Sequence, residues 1–480
     1  MIKSGTNYER KIFVNGKWIE TENYSLLKSP YTLEPIAEIA IATKEDLNVA
    51  ISAAHASRKK MAKMPIHQRS AILEKLVVLL GNRFEEAATI IANEAAKPIT
   101  AAREEVRRTI QTYKFAAAEA TRIGGETISL DAAPGGENRL AYTVREPLGV
   151  IGAITPFNFP MNLVAHKIGP AIAAGNTIVL KPAMQTPLSS FFIADLLQEA
   201  GLPDGALNVV TGSGEIIGNG IVMDDRVNMI TFTGSPAVGI GIRNRAGLKP
   251  VTLELGSNAA VIIDKGIDQE KVVARCVQGA FSNQGQVCIS LQRIYIHEDE
   301  YDEFVEKLVD ETKKLKVGNP LDEDTNVSAL ISEKDVERTL SWIKEAKDGG
   351  AIIATGGYAE DNALYPTVIL NAHPNMQVSC QEVFAPIVIV NKVKSVQEAI
   401  GHVNNSKYGL QAGIYTNDIA QALDAADELE VGGVIINDIP TFRVDHMPYG
   451  GVKESGTGKE GIKYAIEEMT EMKLVVINRN

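Results

Sequence analysis

The strongest constraint on the fold lies in the middle of the chain, where short apolar runs alternate with helical stretches. Residues 150–155 are apolar and close on Pro156, 177–180 close on Lys181-Pro182, 207–210 on Thr211-Gly212, and 229–233 on Gly234. Each run is short and apolar, as a strand buried on both faces is. The clearest helix between them opens with Pro187 in its first turn and stops at Gly201, the usual punctuation of a helix. Its Phe192, Ile193, Leu196 and Leu197 share one face, as on a helix lying against a sheet. Alternation of this kind predicts an α/β fold with a parallel sheet and right-handed crossovers.

A second β/α series follows Glu254. Residues 259–262, 294–296, 387–390 and 433–436 read as strands, and 300–316 and 333–348 as amphipathic helices. The first 120 residues are mostly helical after an opening strand pair near Ile12 to Ile19. Residues 137–145 and 473–477 are alternating or edge-like strands outside both series. Exposed edges of this kind commonly pair with another chain.

The 480 residues suffice for two to four domains, with a large core that needs no disulfide staples. With 45% hydrophobic and 22% charged residues the composition is that of a soluble globular protein. No run approaches the roughly 18 apolar residues of a membrane-spanning helix, and residues 1–11 are polar, unlike a secretory leader. A net charge of −12 argues against a nucleic-acid partner. Three cysteines are too few, and odd in number, for a disulfide framework. A reducing cytoplasm is the expected location, and no metal site is expected.

Cys288 sits in Asn283-Gln284-Gly285-Gln286-Val287-Cys288-Ile289-Ser290. Polar residues and a glycine before a thiol suit a reactive cysteine, which loses its proton to nearby donors or a helix N-terminus; a packed cysteine also fits. Cys276, on an apolar helix face, reads as core, and Cys380 as incidental. Glu254, in Thr252-Leu253-Glu254-Leu255-Gly256, is either a salt-bridged strand end or a general base with proton affinity raised by an apolar site. Asn158, in Thr155-Pro156-Phe157-Asn158-Phe159-Pro160, stands on a stiff turn after a strand. Its amide can donate to an oxyanion or bond its own turn. The turn Phe232-Thr233-Gly234-Ser235-Pro236-Ala237-Val238-Gly239 could bring amides at a helix N-terminus to a phosphate, although its spacing is not the dinucleotide glycine triplet.

Taken together, these segments resemble the aldehyde dehydrogenase superfamily across essentially the whole chain. The resemblance is carried by the Thr155-to-Pro160 and Phe232-to-Gly239 turns, Lys181-Pro182-Ala183, Leu253-Glu254-Leu255-Gly256 and Gly285-Gln286-Val287-Cys288. It is carried further by Glu382-Val383-Phe384-Ala385-Pro386 and Met447-Pro448-Tyr449-Gly450-Gly451. The 34 residues from Glu254 to Cys288 are also the family's interval.

The resemblance implies a Rossmann-like cofactor domain over residues 1–123 and 148–253, a second α/β catalytic domain over 254–455, and a small β oligomerisation element over 124–147 and 456–480. It implies that Cys288 attacks the aldehyde, that Asn158 and the Cys288 amide hold the oxyanion, and that Glu254 activates water against the thioester. Lys181 and Glu382 would hold the riboses of NAD or NADP, Ser235 would meet the pyrophosphate, and Phe384 would pack near the nicotinamide. Thr155, Pro156, Phe157, Gly214, Gly234 and Leu255 are the remaining cofactor contacts it implies. A dimer or tetramer of identical subunits is expected.

Three departures refine the picture. Met184 stands where many NAD-preferring relatives carry an acid, so NADP should be accepted. Ser257 stands where a second glycine is usual. Phe442-Arg443-Val444-Asp445 precedes the Pro448-to-Gly451 motif, at what is the substrate mouth in relatives. By resemblance Arg108 and His166 face the same funnel, and Arg108, His166 and Arg443 there suggest an anionic substrate tail. In the alternative, Arg108 pairs with Glu104 or Glu105, and Arg443 with Asp445. The chain is most similar to the branch containing lactaldehyde, sulfolactaldehyde and non-phosphorylating glyceraldehyde-3-phosphate dehydrogenases. A CoA-acylating semialdehyde dehydrogenase, or a non-catalytic binding protein of the same fold, is the competing reading. Glu254 speaks against the first and Cys288 against the second.

Overall fold

The structure is a computed structural model and describes residues 11–479. Its first large sheet has eight strands, in the order Lys17–Ile19, Ile12–Val14, Leu207–Val209, Thr177–Lys181, Val150–Ile154, Met229–Thr233, Val251–Glu254 and Gly456–Thr457. The five central strands are parallel. In chain order they run 3-2-1-4-5, so the order reverses between Val150–Ile154 and Met229–Thr233. In open sheets of this class ligands bind outside the carboxyl ends of the strands at that reversal. The segments leaving those two ends carry Asn158 and Ser235.

These strands form because they are buried on both faces, as the apolar runs require. The helix Leu188–Ala200 begins after Pro187 and ends on Gly201 in the left-handed conformation, which glycine adopts at little cost. The helix Asn162–Ala174 is buried along its whole length. It packs on the helix Ile99–Ala120, joining the sheet to the helical N-terminal region.

The second sheet has seven strands, in the order Ile352–Thr355, Thr367–Leu370, Ile387–Val393, Arg293–His297, Ala260–Ile263, Gln411–Tyr415 and Gly433–Ile436. All pairings are parallel except the first. The expected helices appear as Tyr301–Lys313 and Glu333–Asp348. A third, antiparallel sheet joins Thr470–Asn478, Arg139–Pro147 and Thr127–Ile128.

Two features depart from the sequence reading. The hairpin of Asn23–Lys28 and Pro35–Ile41 falls in the mostly helical N-terminal region. Residues 456–480 also do not act as one element. Gly456–Thr457 closes the first sheet and the helix Ile462–Glu468 packs on Asn162–Ala174, so only Thr470–Asn478 enters the small sheet. Ile462 and Ile466 are buried in the first core, which fixes that helix there. Among the described residues no helix is long and apolar enough to cross a membrane.

Candidate active site

Between the two large sheets lies a cavity of about 930 Å³, whose walls include Asn158, Glu254, Cys288, Phe384, Arg443 and Tyr449. Cys288 reaches it from a strained segment. Asn283, Gln284 and Gly285 all have left-handed φ values, of 51°, 55° and 68°. Such conformations cost non-glycine residues energy and persist where their surroundings hold them. The surroundings are specific here. The Gln284 side-chain amide donates to the carbonyls of Ala96 and Ala329 at 2.8 and 3.0 Å. A Cβ on Gly285 would lie 2.1 Å from the Ala385 carbonyl oxygen, so only glycine fits. The Cys288 thiol is half-buried and Sγ stands 2.8 Å from the Tyr449 hydroxyl. Burial pushes the thiol up to about 11, against the Tyr449 hydrogen bond and the Arg443 charge. Cys276 is buried in the core of the second sheet and is also pushed up by burial.

Asn158 is held from behind. Lys97 Nζ donates to its carbonyl at 2.7 Å and to Glu105 at 2.5 Å. Glu105 in turn accepts from the backbone amides of Met161 and Asn162, capping the next helix. The Asn158 amide donates to the Gln286 carbonyl at 2.9 Å, in the loop that carries Cys288. One N–H bond so used leaves an amide's second hydrogen available.

Glu254 ends the strand Val251–Glu254, and neither carboxylate oxygen has a hydrogen-bond partner. Burial, then the nearby Glu460 charge, raises its proton affinity well above the carboxylate range. A buried unpaired carboxyl of this kind is the pattern of a general base rather than a structural ion pair. The salt-bridged alternative is not what the fold builds.

The cofactor candidates divide into two groups. Pro156, Phe157, Gly234, Ser235, Leu255, Glu382 and Phe384 line the cavity. Phe157 and Phe384 meet edge to face at 5.8 Å. Ser235 precedes the helix Pro236–Arg245, whose N-terminus is the ordinary place for a phosphate. Glu382 accepts from the Ser257 backbone amide at 3.0 Å, a contact that orients the carboxylate. Burial pushes Glu382 up to about 7. A Cβ on Gly256 would lie 2.2 Å from the Glu382 carboxylate, so Gly256 makes room for it. Lys181 ends its strand, and Thr155, Met184 and Gly214 follow the carboxyl ends of neighbouring strands, all outside that wall. Burial lowers Lys181 to about 8, and its ammonium has one bond, to the Pro182 carbonyl at 3.3 Å. An under-satisfied ammonium, a buried carboxylate and a helix N-terminus fit two ribose diols joined by a pyrophosphate. Met184 is half-buried and packs on the first core. Among the described residues no cluster is suited to a metal ion.

The charged residues expected at the substrate mouth are placed differently from their expected pairings. Arg108 and Arg443 do line the cavity. Arg108 pairs with Asp445 through two bonds of 3.1 and 2.7 Å, not with Glu104 or Glu105. Arg443 pairs with Glu460 at 3.0 Å, not with Asp445. His166 does not face the funnel: its ring is buried and Nε2 meets Asp445 at 2.8 Å. Helix packing turns it inward, where it supports the carboxylate that holds Arg108. Burial and the Arg443 charge lower His166, favouring the neutral ring. Burial would raise Asp445, but His166 and Arg108 outweigh it and hold the carboxyl well below its usual range. Lys167 reaches the other side of Glu460 at 3.2 Å.

A model of the Aldehyde dehydrogenase family matches residues 18–475. The chain belongs to this family. The 3-sulfolactaldehyde dehydrogenase of Priestia aryabhattai is 50% identical over 468 residues, covering 97% of this chain and 98% of that protein. A lactaldehyde dehydrogenase of Methanococcus aeolicus is 43% identical, covering 97% of this chain and 100% of that one. The crystal structure of glyceraldehyde-3-phosphate dehydrogenase from Methanocaldococcus jannaschii, complexed with NADP, is 41% identical with a TM-score of 0.92. It covers 95% of this chain and 100% of its own. This chain is an NAD(P)-dependent enzyme that oxidises an aldehyde to the carboxylic acid. Sequence reasoning missed Lys97, Lys167 and Glu460, because their partners lie far off in the chain; a buried lysine or glutamate gives no local signal of its own.

Proposed function

We propose that the substrate is a short 2-hydroxyaldehyde, with an anionic group on its third carbon favoured. The substrates named for the three relatives share one skeleton, a 2-hydroxypropanal carrying a sulfonate, hydrogen or phosphate at carbon three. The observation that supports an anion is the charge balance beside the cavity. Arg108, Arg443 and Lys167 face two carboxylates held ionised, Asp445 and Glu460, while burial and the Glu460 charge push Glu254 toward its neutral form. Within this set the cations outnumber the ionised carboxylates by one, and an anionic tail would balance the excess.

In this reading the Cys288 thiolate adds to the aldehyde carbon and gives a thiohemiacetal oxyanion. The Asn158 amide and the Cys288 backbone N–H hold that charge, which drives hydride loss. When bound, the nicotinamide supplies the hydride acceptor, and Lys181, Glu382 and the Ser235 turn hold the rest of the cofactor. The product on Cys288 is a thioester. Glu254, once ionised, takes a proton from water as that water attacks the thioester, releasing the acid and the thiol. Met184 neither repels a 2′-phosphate nor bonds ribose hydroxyls, so NADP should serve at least as well as NAD. The first sheet and its helices form the cofactor domain, and the second sheet the catalytic domain. The edge strand Thr470–Asn478 exposes Met472, Leu474, Val476 and Ile477, which supports a homo-oligomer built on the small sheet. The three cysteines are free thiols, in keeping with a reducing cytoplasm.

The deciding experiment compares initial rates for 2-hydroxypropanals bearing sulfonate, phosphate or hydrogen at carbon three, with each cofactor, with and without CoA. The expected result is highest kcat/KM for an anionic member and no dependence on CoA. Equal kcat/KM for charged and uncharged members removes the anionic reading, and a CoA requirement moves the enzyme to the acylating class.

A further inference from the structure

The reaction just described gives Tyr449 no task, yet its contacts are specific. Its ring is buried and its hydroxyl stands 2.8 Å from Cys288 Sγ. The Arg443 guanidinium lies 3.7 Å from the ring centroid, and Glu460 holds that guanidinium at 3.0 Å. The result is an ordered series, Glu460 to Arg443 to Tyr449 to Cys288, drawn from the last forty residues and the nucleophile loop.

A phenol is ordinarily less acidic than a thiol, near 10 against about 8.5. In a Tyr449–Cys288 pair the thiol therefore gives up its proton first, and the phenol donates to the sulfur anion. A guanidinium over the ring draws on its electron density and strengthens the O–H as a donor. A hydrogen bond to the charged form favours that form. The other groups facing the thiol are Arg443, which also favours the anion, and Glu382 and Glu254, which oppose it.

We propose that Tyr449 is a positioning residue for the nucleophile: its hydroxyl donates to the Cys288 thiolate and orients the sulfur toward the cavity. The proposal rests on Cys288 being the nucleophile. It also gives Arg443 a role beyond substrate charge, since the same side chain fixes the pose of the ring.

The test is Tyr449→Phe, which keeps the ring and its stack on Arg443 and removes only the donor. Full-length enzyme without cofactor is treated with iodoacetamide across a pH series. Modification of the Cys288 peptide is followed by mass spectrometry, with Cys276 and Cys380 as internal references, and residual turnover is measured in parallel. The variant's midpoint for Cys288 should move up by about one pH unit, so that below it alkylation slows about tenfold. The Cys380 profile should not move, and the acid limb of kcat/KM should shift in the same direction. An unchanged Cys288 midpoint overturns the proposal. Turnover that survives full alkylation of Cys288 overturns the nucleophile assignment itself, and the proposal with it.

Discussion

The paired charges beside the cavity and the unpaired carboxyl on its wall follow opposite rules. Asp445 is met by Arg108 and His166, and Glu460 by Arg443 and Lys167. Both carboxyls are held ionised against the effect of burial. Glu254, equally buried, has no hydrogen-bond partner on either oxygen and is pushed toward its neutral form. A carboxylate surrounded by donors is locked in one protonation state and one place. A carboxyl left without them can take up and release a proton at the pH of the reaction. The first kind holds Arg108 and Arg443 in position; the second is the kind the proposed water activation at Glu254 needs.

The comparison is broken most completely at the nucleophile. Cys288→Ala should abolish formation of reduced nicotinamide, followed by absorbance, whereas Cys276→Ala and Cys380→Ala keep most of it. Substantial turnover without Cys288 would place the reaction elsewhere.

Next in size is Glu254→Gln. Loss of a general base typically costs about 10²–10⁴-fold, and here it should fall on the steady-state rate while the first-turnover burst of reduced cofactor survives. Because the carboxyl is shifted upward, the base is the form present at higher pH. Wild-type deacylation should therefore speed up as pH rises through Glu254's titration, and the variant should lose that rise. Equal losses in burst and steady state would put Glu254 before hydride transfer.

The paired side of the comparison is tested by stability. Asp445→Asn strips one partner from a buried ion pair, a change that costs about 3–5 kcal/mol, read as a lower denaturant midpoint. Asp445 has a depressed folded pKa, so its stabilisation is complete above the unfolded value of about 3.9 and is lost as pH falls below it. The variant's stability should fall less than the wild type's on acidification below pH 4. A variant that parallels the wild type in acid would show that Asp445 contributes no pH-linked stability.

The smallest effect concerns the cofactor. Met184→Glu should move preference from NADP toward NAD by about tenfold, the worth of one changed charge contact of about 1.4 kcal/mol. It is measured as the ratio of the two kcat/KM values. An unaltered ratio would assign the choice to another group along the ribose site.

Much of the site was legible in the order of short motifs. The context of Gly285-Gln286 separated Cys288 from Cys276, which sits on an apolar helix face and proves buried. Strand ends were legible because an apolar run closed by Pro or Gly has few other structures available. The hairpin of Asn23–Lys28 and Pro35–Ile41 was not, because it is largely exposed on the first strand and lacks a continuous apolar run. The ionic partners were not legible either. Local spacing offers Arg108 only Glu104 and Glu105, four and three residues away on one helix, yet Glu105 is taken by Lys97 and by the amides of Met161 and Asn162.

The sequence by itself determined the two β/α series, and it marked Cys288, Glu254 and Asn158 as the candidates for nucleophile, base and oxyanion donor. The series follow from local rules of burial period and turn residues, whereas the three candidates rest on polar groups in apolar surroundings together with the family resemblance. The tertiary structure alone decided that Asp445 belongs to Arg108 and His166, that Glu460 belongs to Arg443 and Lys167, and that Tyr449 meets Cys288. Arg108 and Asp445 are 337 residues apart in the chain and 2.7 Å apart in space. Partners at such separation are chosen by which helix and strand faces pack together, and a charge carries no local mark of the countercharge that packing will bring to it.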